Sequence, residues 1–99
     1  MTNTIKDIKV VNKLSEQLKQ TIGENLLKVV WLVGDSKDHS YNIAVVVESR
    51  ERTGHPMRVE QEVDGDNVTY FYLMPVELER GKGDLPWEVS KGIILYNKN

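Results

Sequence analysis

Cysteine is absent from the chain, which excludes disulfides, thiolate nucleophiles and the common structural zinc sites and suits a reducing cytoplasm. A positive surplus is absent too: 13 Lys and Arg face 15 Asp and Glu, for a net charge of −2 with His neutral. Unaided binding to nucleic-acid phosphates needs basic charge that can release counterions, so that class of partner is not expected. No apolar run approaches the roughly 20 residues that cross a bilayer, and the opening MTNTIKDIKV has no signal-peptide core. The two histidines, His39 and His55, stand without spaced partners, whereas a metal site needs several converging ligands. Neither an internal repeat nor a low-complexity segment is visible. What is present is 99 residues, 39% hydrophobic and 28% charged. That suffices for one soluble globular domain over 1–99 and is too short for a second core. A cytoplasmic protein without a membrane partner is the expectation.

The chain turns on residues 26–48. LLKVVWLV and IAVVVE are rich in β-branched and apolar residues, and the polar loop GDSKDHSYN joins them. Neither run alternates strictly, so each reads as an inner strand buried on both faces. Gly34 opens the loop, where a sharp turn or a close approach of another group is expected.

Before this stretch, Thr4 to Ile22 reads as an amphipathic helix. Thr4 and Asp7 form a candidate capping box, and Ile8, Val11, Leu14, Leu18 and Ile22 make one apolar stripe. Gly23 is placed to end the helix. After Glu48, SRERTGHPMR reads as a loop. MRVEQEV sets Val59 and Val63 on one side and Arg58, Glu60 and Glu62 on the other, the pattern of a half-exposed strand at or near an edge. The edge could pair with another copy, or its charges could block pairing. Asp64-Gly65-Asp66-Asn67 signals a turn, and VTYFYLM a strand that closes an antiparallel hairpin. In that strand and at Trp31, the aromatic area is expected mostly against the helices. PVELER suits a short helix with Pro at its first position. Asp84 is a candidate cap for a second, running through Trp87 to Lys91 and stopped by Gly92, and IILYNKN closes the chain as a brief strand.

Residues 26–48 resemble the nucleotidyltransferase superfamily, in particular its small stand-alone members, the minimal nucleotidyltransferases. There the first strand ends in Gly-Ser and the second opens with Asp-x-Asp followed by apolar residues. Gly34-Asp35 falls on the Gly-Ser. His39-Ser40-Tyr41-Asn42-Ile43-Ala44-Val45-Val46-Val47 falls on the Ser-Asp-x-Asp segment and the apolar residues after it. The closing WEVSKGIILYNK is similar to the family's terminal segment of Gly, two apolar residues and Leu-Tyr. The resemblance implies an α/β (α+β) fold of the DNA polymerase beta-like type: a mixed sheet, a long N-terminal helix and short C-terminal helices. It also implies a third carboxylate near the start of the last family strand, facing the other two, and Thr69 is its match here.

In active relatives the three carboxylates hold two magnesium ions, which bind the nucleoside triphosphate and activate the acceptor hydroxyl. Ser40, Asn42 and Thr69 stand in their places, each uncharged. Mg²⁺ demands hard, preferably anionic oxygen ligands in near-octahedral geometry, so these positions are degenerate and no catalytic residue, metal ligand or cofactor is expected. The resemblance implies a protein acting through protein contacts, as a homodimer or with a helical partner of the HEPN type found in toxin–antitoxin systems. Two alternatives stand beside it. An active transferase would use Mg²⁺ and ATP and would rebuild a metal site around Asp38. A sensor would bind nucleotide without chemistry. For phosphate binding the candidates are Gly34, Asp35, Ser36 and Lys37, although this run is too short to count as a phosphate loop and an ordinary tight turn explains it as well. Ser36, His39 and Asp35 are too close in sequence to make a catalytic triad.

Overall fold

The computed structural model describes residues 5–32, 40–80 and 89–98. Ile5–Ile22 form helix α1, which buries Val11, Leu14, Ser15 and Leu18, the spacing of a single helix face. Ile8 departs from the expected stripe and is 44% exposed. The cause is Asp7, whose carboxylate accepts a 2.8 Å hydrogen bond from the Tyr41 hydroxyl. That bond turns the Asp7 side of the helix toward the sheet and leaves Ile8 about 100° away from it. The candidate cap Thr4 lies outside the described residues. Gly23 adopts a φ of +66°, a left-handed value that ends α1 without the strain a side chain would meet. A 3₁₀ turn, Gly23–Asn25, then leads into the sheet.

Among the described residues the strands are β1 (Leu26–Trp31), β2 (Ser40–Val47), β3 (Arg58–Val63), β4 (Asp66–Leu73) and β5 (Ile93–Asn97), with helix α2 (Pro75–Arg80) between the last two. They lie in the order β3-β4-β2-β1-β5. β2 and β4 run parallel, and every other neighbouring pair runs antiparallel. The two apolar runs are thus inner strands, as their continuous hydrophobicity predicts, and Ile43 to Val47 are all buried. The fold is mixed α+β: a long N-terminal helix and shorter C-terminal helical segments on a mixed sheet.

The main core lies between α1 and one face of the sheet. Val11, Leu14 and Leu18 meet Leu26, Val29, Trp31, Tyr41, Ile43, Val45, Val68, Tyr70 and Tyr72. Leu26 and Val29 are an odd number of residues apart yet share this face. A register shift between Leu26 and Lys28 allows it, because one extra residue in a strand reverses the alternation beyond it. The other face carries a smaller cluster of Val30, Leu32, Ala44, Leu73 and Val89, with Phe71 and Leu78 packed against it. Val89 to Lys91 are helical, the end of the second short helix expected from sequence. Its candidate cap Asp84 and Trp87 lie outside the described residues.

The β3–β4 hairpin closes through two residues, Asp64 and Gly65, with φ of 51° and 86°. Two consecutive positive φ values are what a tight hairpin of this twist needs, so β4 begins at Asp66, earlier than the four-residue turn signal predicts. At the far end of β1 and β2, buried Asn25 clips the strands together. Its side chain donates to the Ser49 carbonyl at 2.8 Å and accepts from the Ser49 N–H at 2.9 Å.

Candidate functional site

The side chains that matter alternate along three neighbouring strands. On β2, Tyr41 and Ile43 point to the α1 layer, which sends Ser40 and Asn42 to the opposite face. The parallel pairing sets Asn42 against Thr69 and Ser40 against Asn67. The antiparallel pairing then sets Thr69 against Glu60 and Phe71 against Arg58. Adjacent strands are about 4.8 Å apart, so Asn42, Thr69 and Glu60 form one row across the sheet. Ser40, Asn42, Thr69, Asn67, Arg58 and Glu60 together line a groove of about 370 Å³.

The three positions singled out by the resemblance therefore converge, although 29 residues separate Ser40 from Thr69 (69 − 40 = 29). Their chemistry is neutral: a hydroxyl, an amide and a second hydroxyl, all half-buried. Sequence reasoning placed Glu60 only on a charged strand edge and did not bring it to this groove. The missing information was the pairing register, which no single strand encodes. Nor is Glu60 a free anion. The Arg58 guanidinium donates to its carboxylate at 2.7 Å and lies 6.0 Å from the centre of the Phe71 ring. Both side chains of that ion pair are more than 60% exposed, so it adds little stability but cancels the local charge.

On the opposite side of β2, Tyr41 anchors the start of α1. Burial pushes its phenol well above the ordinary range, and the hydrogen bond to Asp7 and the charges of Asp7 and Asp66 push it further. Tyr41 thus stays a neutral donor, and its role is to fix the strand that carries Ser40 and Asn42.

Gly34, Asp35, Ser36 and Lys37, the candidate phosphate-binding residues, lie outside the described residues, as do Asp38 and His39. His55 is exposed, and its ring stacks on Tyr72 with centroids 5.0 Å apart. No three His, Cys, Asp or Glu side chains among the described residues converge as a metal cage. The groove's own donors do not fit Mg²⁺ either: neutral hydroxyl and amide oxygens and one carboxylate already held by Arg58 lack the anionic charge that this ion requires. No helix among the described residues is long and apolar enough to cross a membrane.

No protein-family model matches the chain, and no curated protein matches it.

Proposed function

We propose that this chain is a nucleotidyltransferase-like protein that has lost nucleotidyl transfer and acts through protein contacts. One observation carries the reading. The positions that match the family's three carboxylates, Ser40, Asn42 and Thr69, meet in one groove with Asn42 and Thr69 in register, and all three are uncharged. Replacing three carboxylates with neutral groups removes about three negative charges from a two-metal cage. A metal-centred contribution is commonly worth several kcal/mol, and each ~1.4 kcal/mol is tenfold in rate. Turnover through such a groove falls below usefulness.

The two sheet edges support the contact role. Edge strand β3 carries Arg58, Glu60 and Glu62, charges that discourage pairing with a further strand. Edge strand β5 carries Ile93 and Ile94 at 41% and 53% exposure, the kind of apolar surface found in interface cores. A second copy, or a helical partner of the HEPN type, is the partner class that follows from the resemblance.

A thermal-shift assay tests the loss of chemistry. Millimolar ATP is expected to leave the melting temperature unchanged with or without magnesium. Magnesium-dependent stabilisation by ATP would instead restore the enzyme, and a shift that ignores magnesium would point to a nucleotide sensor. Co-purification from the native cell, followed by identification of the bound protein, tests the contact role.

A further inference from the structure

The α1 side of the sheet is not evenly covered. Helix α1 packs on β1 and β5, while Tyr70 and Tyr72 of β4 face the same side farther along the sheet. Between them and the C-terminal half of α1 runs a second groove of about 610 Å³, walled by Gln17 and Thr21 of α1, Gln61 of β3, and Arg52 and His55 of the loop after β2. Its volume lies inside the roughly 300–1,000 Å³ typical of small-molecule sites.

Tyr70 and Tyr72 form the floor. Each is only 5% exposed, yet neither phenol has a hydrogen-bond partner among the described residues. Trp31 Nε1 is the one fully buried polar side-chain atom without a partner among those residues. The two hydroxyls are therefore not sealed in, and their tips open onto the groove. Burial raises both phenols, Tyr70 to about 12 with the neighbouring Tyr72 contributing, so they remain protonated donors. Two hydroxyls side by side at the base of a cleft, with no protein partner among the described residues, can bond an entering ligand in place of water.

The surroundings narrow the chemistry. The charged residues lining the groove, Arg52, Glu62 and Asp64, leave no positive surplus, and Asp64 is held by Lys13 at 2.8 Å. A phosphate or carboxylate would meet no net positive charge there. The tyrosine rings are covered, with Tyr70 and Tyr72 centroids 6.2 Å apart and tilted at 36°, so no open pair of aromatic faces exists to sandwich a flat heterocycle. What the groove presents are phenols, side-chain amides and a threonine hydroxyl, each able both to donate and to accept. The exposed His55 ring, stacked on Tyr72 at 5.0 Å, adds one apolar platform. We propose that this groove binds a neutral polyhydroxylated ligand of the carbohydrate class, with the Tyr70 and Tyr72 hydroxyls as its hydrogen-bonding floor. Sugar hydroxyls have the same dual donor and acceptor character, and a pyranose ring offers C–H bonds to an imidazole face.

An amide-resolved NMR titration of the full chain tests this. The probes are methyl glucoside, methyl galactoside, N-acetylglucosamine and maltose, with glucose 6-phosphate and AMP as charged comparators. At least one neutral sugar is expected to give saturable shifts confined to residues around 52–55, 61 and 70–72. Tyr70→Phe and Tyr72→Phe should each weaken it roughly threefold to tenfold, the worth of one neutral hydrogen bond, while the spectrum stays folded because each lost hydroxyl has no protein partner. His55→Ala, at an exposed site, should weaken it as well. The proposal fails if no neutral sugar gives a saturable shift, if only the charged comparators bind in this groove, or if the Tyr→Phe variants bind as well as the parent. The two grooves lie on opposite faces of the sheet, so a magnesium result at Ser40, Asn42 and Thr69 leaves this test untouched.

Discussion

Gly92 has no conformational peculiarity, but a side chain there has nowhere to go. A Cβ would strike Val30 Cγ1 and come within 2.8 Å of the Trp31 carbonyl oxygen. Gly92→Ala is therefore expected to destabilise the fold by about 1–3 kcal/mol as β5 is pushed off β1, read as a lower urea midpoint. Glu77 makes a different kind of contribution. Burial alone would raise its carboxyl, but hydrogen bonds from Arg50 at 2.6 Å and the Met74 N–H at 2.8 Å, with the Arg50 charge, outweigh that and lower it below its ordinary 4.5. A depressed carboxyl contributes stability above its unfolded value and loses it as pH falls through the folded one. The stability supplied by Glu77 should thus fade as pH drops below about 4.5. Glu77→Gln should cost about 1–3 kcal/mol at neutral pH and flatten that acid limb, measured by denaturation across pH. Gly92 was readable from sequence only as a helix stop, since the close approach is to Trp31 of β1, 61 residues away (92 − 31 = 61).

At the scale of elements, strands and helices were legible because their patterns are local. The period of α1, the continuous runs of β1 and β2, the alternation of β3 and the Pro at the start of α2 each carry their own signal. Three features were not local and went unread. The irregularity at Leu27 lets Leu26 and Val29 share a face, and only the partner strand reveals it. Ile8 turns outward because Asp7 is claimed by Tyr41 on another element. Asn25 is polar and buried, a position that a hydrophobic pattern passes over. Its two side-chain bonds to Ser49 hold the end of the β1–β2 pair. Asn25→Ala leaves both Ser49 backbone groups short of a partner and should cost about 1–3 kcal/mol. Hydrogen exchange should then show faster opening at residues 47–49 than in the centre of β2.

For the whole molecule, the candidate site was half legible. The resemblance named Ser40, Asn42 and Thr69 from sequence, and the pairing of β2 with β4 brings them together. Glu60 and Arg58 enter the same groove only through β3, whose register no sequence pattern specifies. The central claim is that this groove differs from a metal-binding one by charge alone. Isothermal titration of Mg²⁺ and ATP into the parent chain and into the Ser40→Asp, Asn42→Asp, Thr69→Asp variant addresses it most directly. The account predicts no magnesium-dependent ATP binding by the parent and measurable magnesium-dependent binding by the variant. Tight Mg²⁺–ATP binding by the parent, or a folded variant that binds no magnesium, would contradict it.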